Sequence, residues 1–111
     1  MTDSAKHCVP CRAGDPPIED AEARMLLTDL PGWSIATVDG IPRLTQSFTF
    51  PDFKSALAFA DRVGAEADRE DHHPELVVTW GKVTVGWWTH AIRGLHRNDF
   101  VMAEKTSGLV A

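Results

Sequence analysis

The sequence predicts an α+β protein, a two-layer domain in which helices cover one face of a four-stranded antiparallel sheet. Two runs of alternating apolar residues surround short turns, a pattern that is typical of β-hairpins. Segments with apolar residues at intervals of three and four precede the first hairpin and follow each of the two hairpins, and this spacing indicates helices. The expected element order is therefore α-ββ-α-ββ-α.

The chain of 111 residues has the length of one domain with a modest hydrophobic core, which association with a second copy would help to complete. Asp15-Pro16-Pro17 breaks helical structure, so we expect a flexible N-terminal segment over residues 1–17 and a single domain over residues 18–111. The apolar stretches are only a few residues long, and the N-terminus lacks the apolar core of a signal peptide. The sequence therefore predicts a cytoplasmic protein that does not engage a membrane.

The net charge of the chain is −5, from 16 acidic and 11 basic side chains that are scattered along it. Because phosphate binding depends on clustered Lys and Arg, we expect no nucleic-acid partner. Cys8 and Cys11 form one C-x-x-C motif beside His7. This motif supplies at most half of a zinc site, since a structural zinc ion takes four ligands. A metal or redox role stays open beside that of a flexible tail.

The first helix is predicted from apolar residues that share one face and from the Pro31-Gly32 break that follows them. Those apolar residues are Ile18, Met25, Leu26 and Leu30. Alternating apolar residues over 33–38 and 43–50 predict the first hairpin, with Asp39-Gly40 as its turn.

Pro51 and Asp52 suit the first turn of a second helix, which we expect to end between Asp68 and Asp71. The face predicted to cover the first hairpin consists of Phe53, Leu57, Ala60, Gly64 and Ala67. Residues 76–80 and 82–89 are rich in Val, Thr and Trp and predict the second hairpin, joined near Gly81. Residues 98–106 predict the third helix. We expect the uncovered face of the sheet to be polar or shared with another subunit.

Three histidines lie at the ends of the second predicted hairpin: His72, His73 and His90. Because residues just before the first strand and just after the second lie side by side, these imidazoles should converge. Imidazole exchanges protons near neutral pH, as an acid-base enzyme requires. Polar loop residues and a three-histidine zinc site are the alternatives. Adjacent histidines in extended chain point to opposite sides, so the zinc site needs an irregular backbone, which Pro74 could supply.

Two acidic residues and several tryptophans accompany the histidines. Asp68 lies in the last turn of the second predicted helix, either solvated or near a histidine. Asp99 lies near the start of the third helix, where it can cap free backbone N–H groups, orient an imidazole, or do both. Trp80, Trp87 and Trp88 belong to the second hairpin and are expected mainly to pack, while one facing the histidines could stack on a flat heterocycle.

The string Asp68-x-x-x-His72-His73-Pro74, followed by Trp80, His90 and Asp99 at fixed spacing, resembles the signature of the pterin-4a-carbinolamine dehydratase family. It matches seven positions over 32 residues without a gap. A looser resemblance extends from the Leu30-Pro31-Gly32-Trp33 turn through the third helix. The C-x-x-C segment is also similar to that of bacterial members.

The resemblance implies an antiparallel four-stranded sheet with helices on one side, assembled as homodimers or homotetramers. It also implies an activity, the removal of water from a 4a-hydroxytetrahydropterin substrate. The product is the quinonoid dihydropterin, which a reductase recycles for aromatic amino-acid hydroxylases. No cofactor or metal takes part in that reaction, which disfavours the zinc alternative.

By the same resemblance, His73 and His90 correspond to the catalytic pair, while His72 binds and orients the 4a-hydroxyl group and Asp99 holds an imidazole. The positions that resemble pterin-binding residues are Asp68, Trp33, Pro74, Thr89 and Ala91. Asp68 stands where many members carry the longer Glu, so its reach toward His72 is shorter. His96 stands where Ser or Thr often caps the third helix.

A function of another class also remains open, that of a non-catalytic assembly factor or scaffold. Its protein partner would be one such as a carbon-fixing enzyme of bacterial carboxysomes. Members of the fold act as protein partners, including a dimerisation cofactor of a transcription factor. The retained histidines favour catalysis, because a pure scaffold does not need three imidazoles in one cleft. The sequence is compatible with both functions in one protein.

Overall fold

The structure, a computed structural model, describes Cys8 and residues 14–110 of the chain. The helices are α1 (Asp20–Leu27), α2 (Phe53–Glu70) and α3 (Arg97–Gly108). The strands are β1 (Ser34–Val38), β2 (Ile41–Thr49), β3 (Glu75–Thr79) and β4 (Lys82–Trp87), and a 3₁₀ turn covers His90–Ile92. The predicted element order and the α+β class are confirmed.

The four strands form one antiparallel sheet in the order β1-β2-β4-β3, so the two hairpins join through their second strands. Leu44 of β2 lies opposite Trp87 of β4 at this junction. In the turn of the first hairpin, Asp39 and Gly40 both have positive φ, at 53° and 77°. Two such residues make the turn whose twist matches that of the flanking strands, as the Asp-Gly pair predicts.

The helices cover one face of the sheet, and the other face is largely polar. Alternate residues of the central strands point to the helices and are buried: Leu44, Phe48, Val83, Val85 and Trp87. On the opposite face, the hydroxyl groups of Ser47 and Thr84 lie 2.8 Å apart in a hydrogen bond between β2 and β4. The buried Trp87 also connects the sheet to α3, because its indole N–H donates to Thr106 Oγ1 at 3.1 Å.

The core face of α2 differs from the prediction. Its buried residues are Ala56, Phe59, Ala60, Val63 and Ala67. The Phe59 ring packs against Phe48 and Phe50, with ring centroids 4.9 and 5.1 Å apart. Phe53 and Leu57 remain 46% and 44% exposed. Helix α2 carries two overlapping apolar stripes, and the stripe that contains Phe59 is the one that fills the space above the sheet.

Helix α1 is also shorter and differently oriented than predicted. Its buried residue is Ala23, whereas Met25 is 69% exposed. Ile18 precedes the helix, where its N–H donates to Leu95 O at 2.8 Å. The predicted Leu30 is buried, but it belongs to the turn that follows the helix. Spacing alone could not separate the helix from that turn, because both carry apolar residues that reach the core.

The end of α2 sets the direction of the chain that follows. Asp71 has a φ of 51° in the left-handed region, and the His72 N–H donates back to Ala67 O at 3.1 Å. This pattern satisfies carbonyl groups at the helix end and reverses the chain. His72 and His73 therefore leave the helix and, together with Pro74, form the short connection to β3.

None of the helices in the described part of the chain is long and apolar enough to cross a membrane. The predicted N-terminal segment lies outside the described residues, except for Cys8 and residues 14–17. Strand β4 ends at Trp87, two residues before the predicted end, because the backbone of Thr89 instead pairs with that of Gly94.

The two stripes of α2 can be distinguished by truncation. We expect Phe59→Ala to lower the free energy of unfolding by about 3–5 kcal/mol, because it removes a buried ring and leaves a cavity. The matched variant Phe53→Ala should lower it by less than about 1 kcal/mol, because that ring is already half in solvent. Urea unfolding followed by circular dichroism measures both values. Equal losses would contradict the observed core face.

Candidate active site

The Asp99 carboxylate is fully buried and accepts three hydrogen bonds. Its Oδ2 atom accepts from the Thr89 hydroxyl and from the His96 backbone N–H, each at 2.8 Å. Its Oδ1 atom lies 2.6 Å from Nε2 of His72. A buried carboxylate needs such donors, because an unpaired charge is costly away from water. Asp99 therefore connects α3, the segment after β4 and the segment after α2.

His72 is held on two sides. Its Nε2–H donates to Asp99, since an ionised carboxylate can only accept. Its ring stacks on Trp87, with centroids 5.8 Å apart and planes inclined by 8°. The side chain is only 10% exposed. With Nε2 committed to the carboxylate, Nδ1 is the nitrogen of His72 that can act as an acceptor in the neutral ring.

Both sequence-based interpretations of Asp99 hold at once. His96 is the N-cap residue of α3, and its Nδ1 accepts from the Asn98 N–H at 3.0 Å. Asp99 reciprocates by accepting from the His96 N–H, which completes a capping box. An imidazole nitrogen thus performs the acceptor role that a Ser or Thr oxygen has in other helices. Asp99 caps the helix and orients an imidazole with the same carboxylate.

Asp68 pairs with His73 and not with His72. Its Oδ1 lies 2.9 Å from Nε2 of His73, and both side chains are exposed, by 81% and 53%. The resemblance to the family led us to expect that Asp68 would reach toward His72. The left-handed residue Asp71 explains the difference, because it turns His72 inward and leaves His73 beside the last turn of α2. An exposed pair of this kind contributes little to stability.

His90 opens the 3₁₀ turn after β4 and is exposed. Its ring stacks on Trp88, with centroids 4.6 Å apart and planes inclined by 12°. The same indole contacts Arg43, whose guanidinium carbon lies 4.1 Å from the ring centroid. His90 is thus positioned by ring stacking, whereas the other two histidines are positioned by carboxylates.

The three histidines lie at the same end of the β3–β4 hairpin, as strand pairing predicts. His72 connects to Thr89 through the Asp99 carboxylate, and His90 follows Thr89 directly in the chain. His73 follows His72 on the solvent side. Among Cys8 and residues 14–110, no three His, Cys, Asp or Glu side chains come together in an arrangement that could hold a metal ion.

Trp33 and Trp80 lie away from these histidines. Trp33 is buried in the core, where its indole N–H donates to Ser107 Oγ at 2.9 Å. Ser107 is two helical turns after Asp99 in α3, a rise of roughly 12 Å. Trp80 is 71% exposed in the turn between β3 and β4, at the far end of that hairpin. The structure thus brings neither ring to the histidines.

The backbone of Thr89 is already engaged in the fold. Its N–H donates to Gly94 O at 2.8 Å, and its carbonyl accepts from Ile92 and Gly94 at 3.3 and 3.4 Å. Its hydroxyl donates to the buried Asp99 carboxylate, so Thr89 stabilises the site from within the fold. Pro74 is half-buried between His73 and β3, and Ala91 is exposed in the 3₁₀ turn. These two remain available to a ligand.

Sequence reasoning missed three contributions to the site: the Thr89 hydroxyl, the Trp88 ring and the Arg43 guanidinium. One signal was available for Trp88, because residues two apart in extended chain point to the same side, and His90 is two residues further on. No sequence signal could locate Arg43. Its contact depends on how the first hairpin pairs with the second.

A separate cleft of about 900 Å³ lies between α1 and α3. Its walls combine apolar residues, including Ile18, Leu30 and Phe100, with acidic ones, including Glu22 and Glu104. None of the three histidines lines it, so the cleft is distinct from the candidate site.

Cys8 lies half-buried beside the site. Its N–H donates to Glu70 Oε1 at 2.8 Å, and its sulfur lies 4.0 Å from Asn98 O. Burial, together with the nearby Glu70 and Asp99 carboxylates, raises the pKa of the Cys8 thiol to about 12. Cys11 lies outside the described residues, so the structure does not describe the C-x-x-C pair.

Replacing Asp99 with Asn should move the proton on the ring of His72. The amide oxygen of the new Asn is expected at the position of Oδ2, where it accepts from Thr89 and His96. The amide N–H group then faces His72. Nε2 then has to accept, so the ring proton moves to Nδ1. Nitrogen-15 chemical shifts of His72 report this tautomer, and we expect a loss of about 1–3 kcal/mol in stability.

The matched control for this change is Asp52→Asn. Asp52 caps α2 through the Ser55 N–H at 2.7 Å but is exposed, and its carboxylate has no hydrogen bond to His72, His73, His90 or His96. Asn is as good an N-cap as Asp, so stability should change by only a few tenths of a kcal/mol, roughly within measurement error. A folded Asp99→Asn variant that keeps its His72 proton on Nε2 would contradict the orientation described here.

The raised pKa of Cys8 predicts low reactivity toward alkylating agents. In a Cys11→Ser variant at pH 8, very little of the Cys8 thiol is ionised, because its pKa lies well above that pH, and the thiolate is the reactive form. Iodoacetamide should therefore modify the native protein slowly and the urea-unfolded protein rapidly, as mass spectrometry can follow. Equal rates in the two states would show that Cys8 is not held in a desolvated position.

Comparisons with known proteins bear on the family to which the chain belongs. A family model described as pterin 4 alpha carbinolamine dehydratase matches residues 16–109. A relative from Chlorobium limicola is 54% identical over 102 residues, which cover 92% of this chain and 90% of the relative. A relative from Gloeobacter violaceus is 49% identical over 111 residues, which cover 100% and 96%. Both relatives carry the provisional name pterin-4-alpha-carbinolamine dehydratase.

Two solved structures are also similar to this chain. A transcriptional coactivator/pterin dehydratase from Brucella melitensis matches with a TM-score of 0.77 and 32% identity, over 86% of this chain and 100% of that one. A pterin dehydratase-like protein, described as a RuBisCO assembly factor in the alpha-carboxysome, matches with a TM-score of 0.61 and 18% identity, over 72% and 90%. At that identity the second likeness concerns the fold alone. The extent of the family match and the identity of the relatives together establish that the chain belongs to the pterin-4-alpha-carbinolamine dehydratase family.

Proposed function

We propose that this protein is an active dehydratase that removes water from a 4a-hydroxytetrahydropterin by histidine acid-base catalysis. The proposal rests on the different burial and hydrogen-bond partners of the three histidines. His72 is fixed by a buried carboxylate at 2.6 Å, while His73 and His90 remain exposed at the same hairpin end. Proton transfer to and from a bound ring requires accessible imidazoles, such as His73 and His90, and a fixed group that holds the ring, such as His72.

The reaction needs one base and one acid. The base removes the proton from the pterin ring nitrogen, the electron pair forms the new carbon–nitrogen double bond, and the bond from C4a to its hydroxyl oxygen breaks. The acid protonates that departing oxygen, so the products are water and the quinonoid dihydropterin. We assign these two roles to His73 and His90, which are accessible to a substrate. Each turnover returns the pair to its starting state by proton exchange with water.

His72 has a different role in this proposal. Its Nε2–H is committed to Asp99, which leaves Nδ1 as the nitrogen that can accept a hydrogen bond from the 4a-hydroxyl group. The stack on Trp87 prevents the ring from turning. His72 thus binds and orients the substrate without having to exchange protons with solvent. Preorganised groups of this kind act without reorganising during the reaction.

The hydrogen bond between Asp68 and His73 changes the role that we propose for Asp68. An Asp reaches His73 at 2.9 Å, although the resemblance to the family leads one to expect Glu at this position. We propose that Asp68 orients His73, and that Pro74 and Ala91 border the pterin. Thr89 acts through Asp99, since its backbone and hydroxyl are engaged within the fold. We further propose a cytoplasmic location and a homodimer or homotetramer as the working assembly.

The alternative is an assembly factor that works without catalysis. It is favoured by one finding, the likeness in fold to a pterin dehydratase-like protein described as a RuBisCO assembly factor. A protein whose task is only to bind a partner does not need the two exposed imidazoles of His73 and His90 beside a third imidazole that a buried carboxylate orients. The geometry therefore favours catalysis, and partner binding can coexist with it.

The direct test is the dehydration of freshly generated 4a-hydroxytetrahydropterin by the purified protein. We expect turnover well above the uncatalysed rate, unchanged by EDTA. A His73→Ala, His90→Ala double variant should lose at least about 100-fold in rate, the lower range of general acid-base catalysis. The control is a Lys54→Ala, Asp61→Ala variant with two substitutions on the exposed side of α2, which should retain the activity.

The opposite results are equally informative. A folded wild-type protein with no rate above background would exclude the dehydratase activity and leave the assembly role as the better account. Loss of activity in EDTA would exclude the metal-free mechanism. Loss in the surface variant would show that the effect of the double variant is not specific to the histidines.

A further inference from the structure

The Trp88 ring contacts two side chains that belong to different parts of the fold. His90, two residues further along the chain, stacks on it with centroids 4.6 Å apart. Arg43, from the neighbouring strand β2, places its guanidinium carbon 4.1 Å from the ring centroid. Cation–aromatic and stacking contacts of this kind are stabilising when the groups are partly desolvated, as Trp88 and Arg43 are here.

Arg43 reaches this position by crossing the open face of the sheet. Its Nη1 donates to Glu75 Oε1 at 2.8 Å, so its side chain extends from β2 across β4 to β3. Gly86 of β4 lies opposite Glu75, and a Cβ atom there would already touch the Arg43 side chain at 4.0 Å. A larger residue at position 86 would occupy the path of the arginine.

His90 is the one of the three histidines that lacks a carboxylate partner within the described residues. His72 has Asp99 and His73 has Asp68. An imidazole on an exposed turn is free to rotate unless something holds its plane. Here the indole provides that constraint, and the indole in turn is held by Arg43.

We infer that Arg43 is a positioning residue for the dehydratase reaction: it fixes the plane of Trp88, which fixes the imidazole of His90, while Glu75 anchors Arg43. The inference rests on the proposed function of His90 as one of the two proton-transferring groups. Arg43 and Glu75 touch no reacting atom in this scheme. They act only through the stack of guanidinium, indole and imidazole.

Two details distinguish Arg43 from an ordinary surface arginine. Its side chain is only 13% exposed, whereas that of Glu75 is 54% exposed. Its Nε is buried with no hydrogen-bond partner among the described residues. A buried donor without an acceptor is unfavourable, so the conformation has to be stabilised elsewhere. The contact with Trp88 and the hydrogen bond to Glu75 provide that stabilisation.

The test compares Arg43→Ala with Arg62→Ala. Arg62 is exposed on α2, where its Nε donates to Leu109 O at 3.3 Å, so it matches the change in charge at a site away from the stack. We expect Arg43→Ala to lower kcat roughly tenfold with little change in KM, because misplacing a catalytic group costs rate more than binding. The Arg62→Ala variant should keep both values.

A second pair of variants tests the anchor. Glu75→Ala removes the acceptor and should lower kcat in the same direction as Arg43→Ala. Glu75→Gln keeps an oxygen at that position and should restore most of the rate, because the carboxylate is exposed and its charge adds little. A role in stability alone would lower the melting temperature of the variants and leave the kcat of folded protein unchanged.

The position of the ring can be read without any activity. A ring stacked on an indole shows upfield-shifted proton resonances, so the Hε1 signal of His90 should move toward the value of an unstacked histidine in Arg43→Ala. If wild-type protein has no dehydratase activity, this signal still tests the stack, and only the proposed function fails. If wild-type protein is active and Arg43→Ala retains both kcat and the Hε1 position, the inference about Arg43 is overturned.

Discussion

The buried carboxylate of Asp99 is the constraint on which the site depends. A charge in the core is tolerated only where donors surround it, and here the donors come from three segments: His72 after α2, Thr89 after β4 and His96 at the start of α3. Satisfying the carboxylate therefore requires the exit of α2, the segment after β4 and the start of α3 to meet. The hydrogen bonds that stabilise this junction also fix the orientation of His72. Folding of the junction therefore preorganises the site.

The three histidines have three kinds of environment, and the differences follow from local chain geometry. His72 is enclosed by a carboxylate and an indole ring, His73 has an exposed carboxylate, and His90 has an indole face. An enclosed ring suits binding and orientation, whereas exposed rings can exchange protons with water. Similar residues thus acquire different chemistry through burial and partners, which is the general way in which acid and base roles are separated.

Much of the fold could be predicted because short-range patterns determine it. Asp39-Gly40 specifies a hairpin turn, and strand pairing brings residues before β3 and after β4 to one end of the sheet. The choice between the two stripes of α2 could not be predicted, because both have helical spacing and only the space above the sheet decides between them. The contact of Arg43 was equally inaccessible, since it depends on the pairing of two hairpins that are separated by a long helix.

The left-handed conformation of Asp71 has a consequence for how this chain can vary. Connections between helices and strands usually tolerate insertions and deletions, because few of their side chains have a fixed direction. Between α2 and β3, however, successive side chains alternate between the carboxylate in the core and the solvent. Adding or removing one residue would exchange the inward and outward histidines, as a slip in register does in a strand. The length of this connection is therefore as restricted as the identity of its residues.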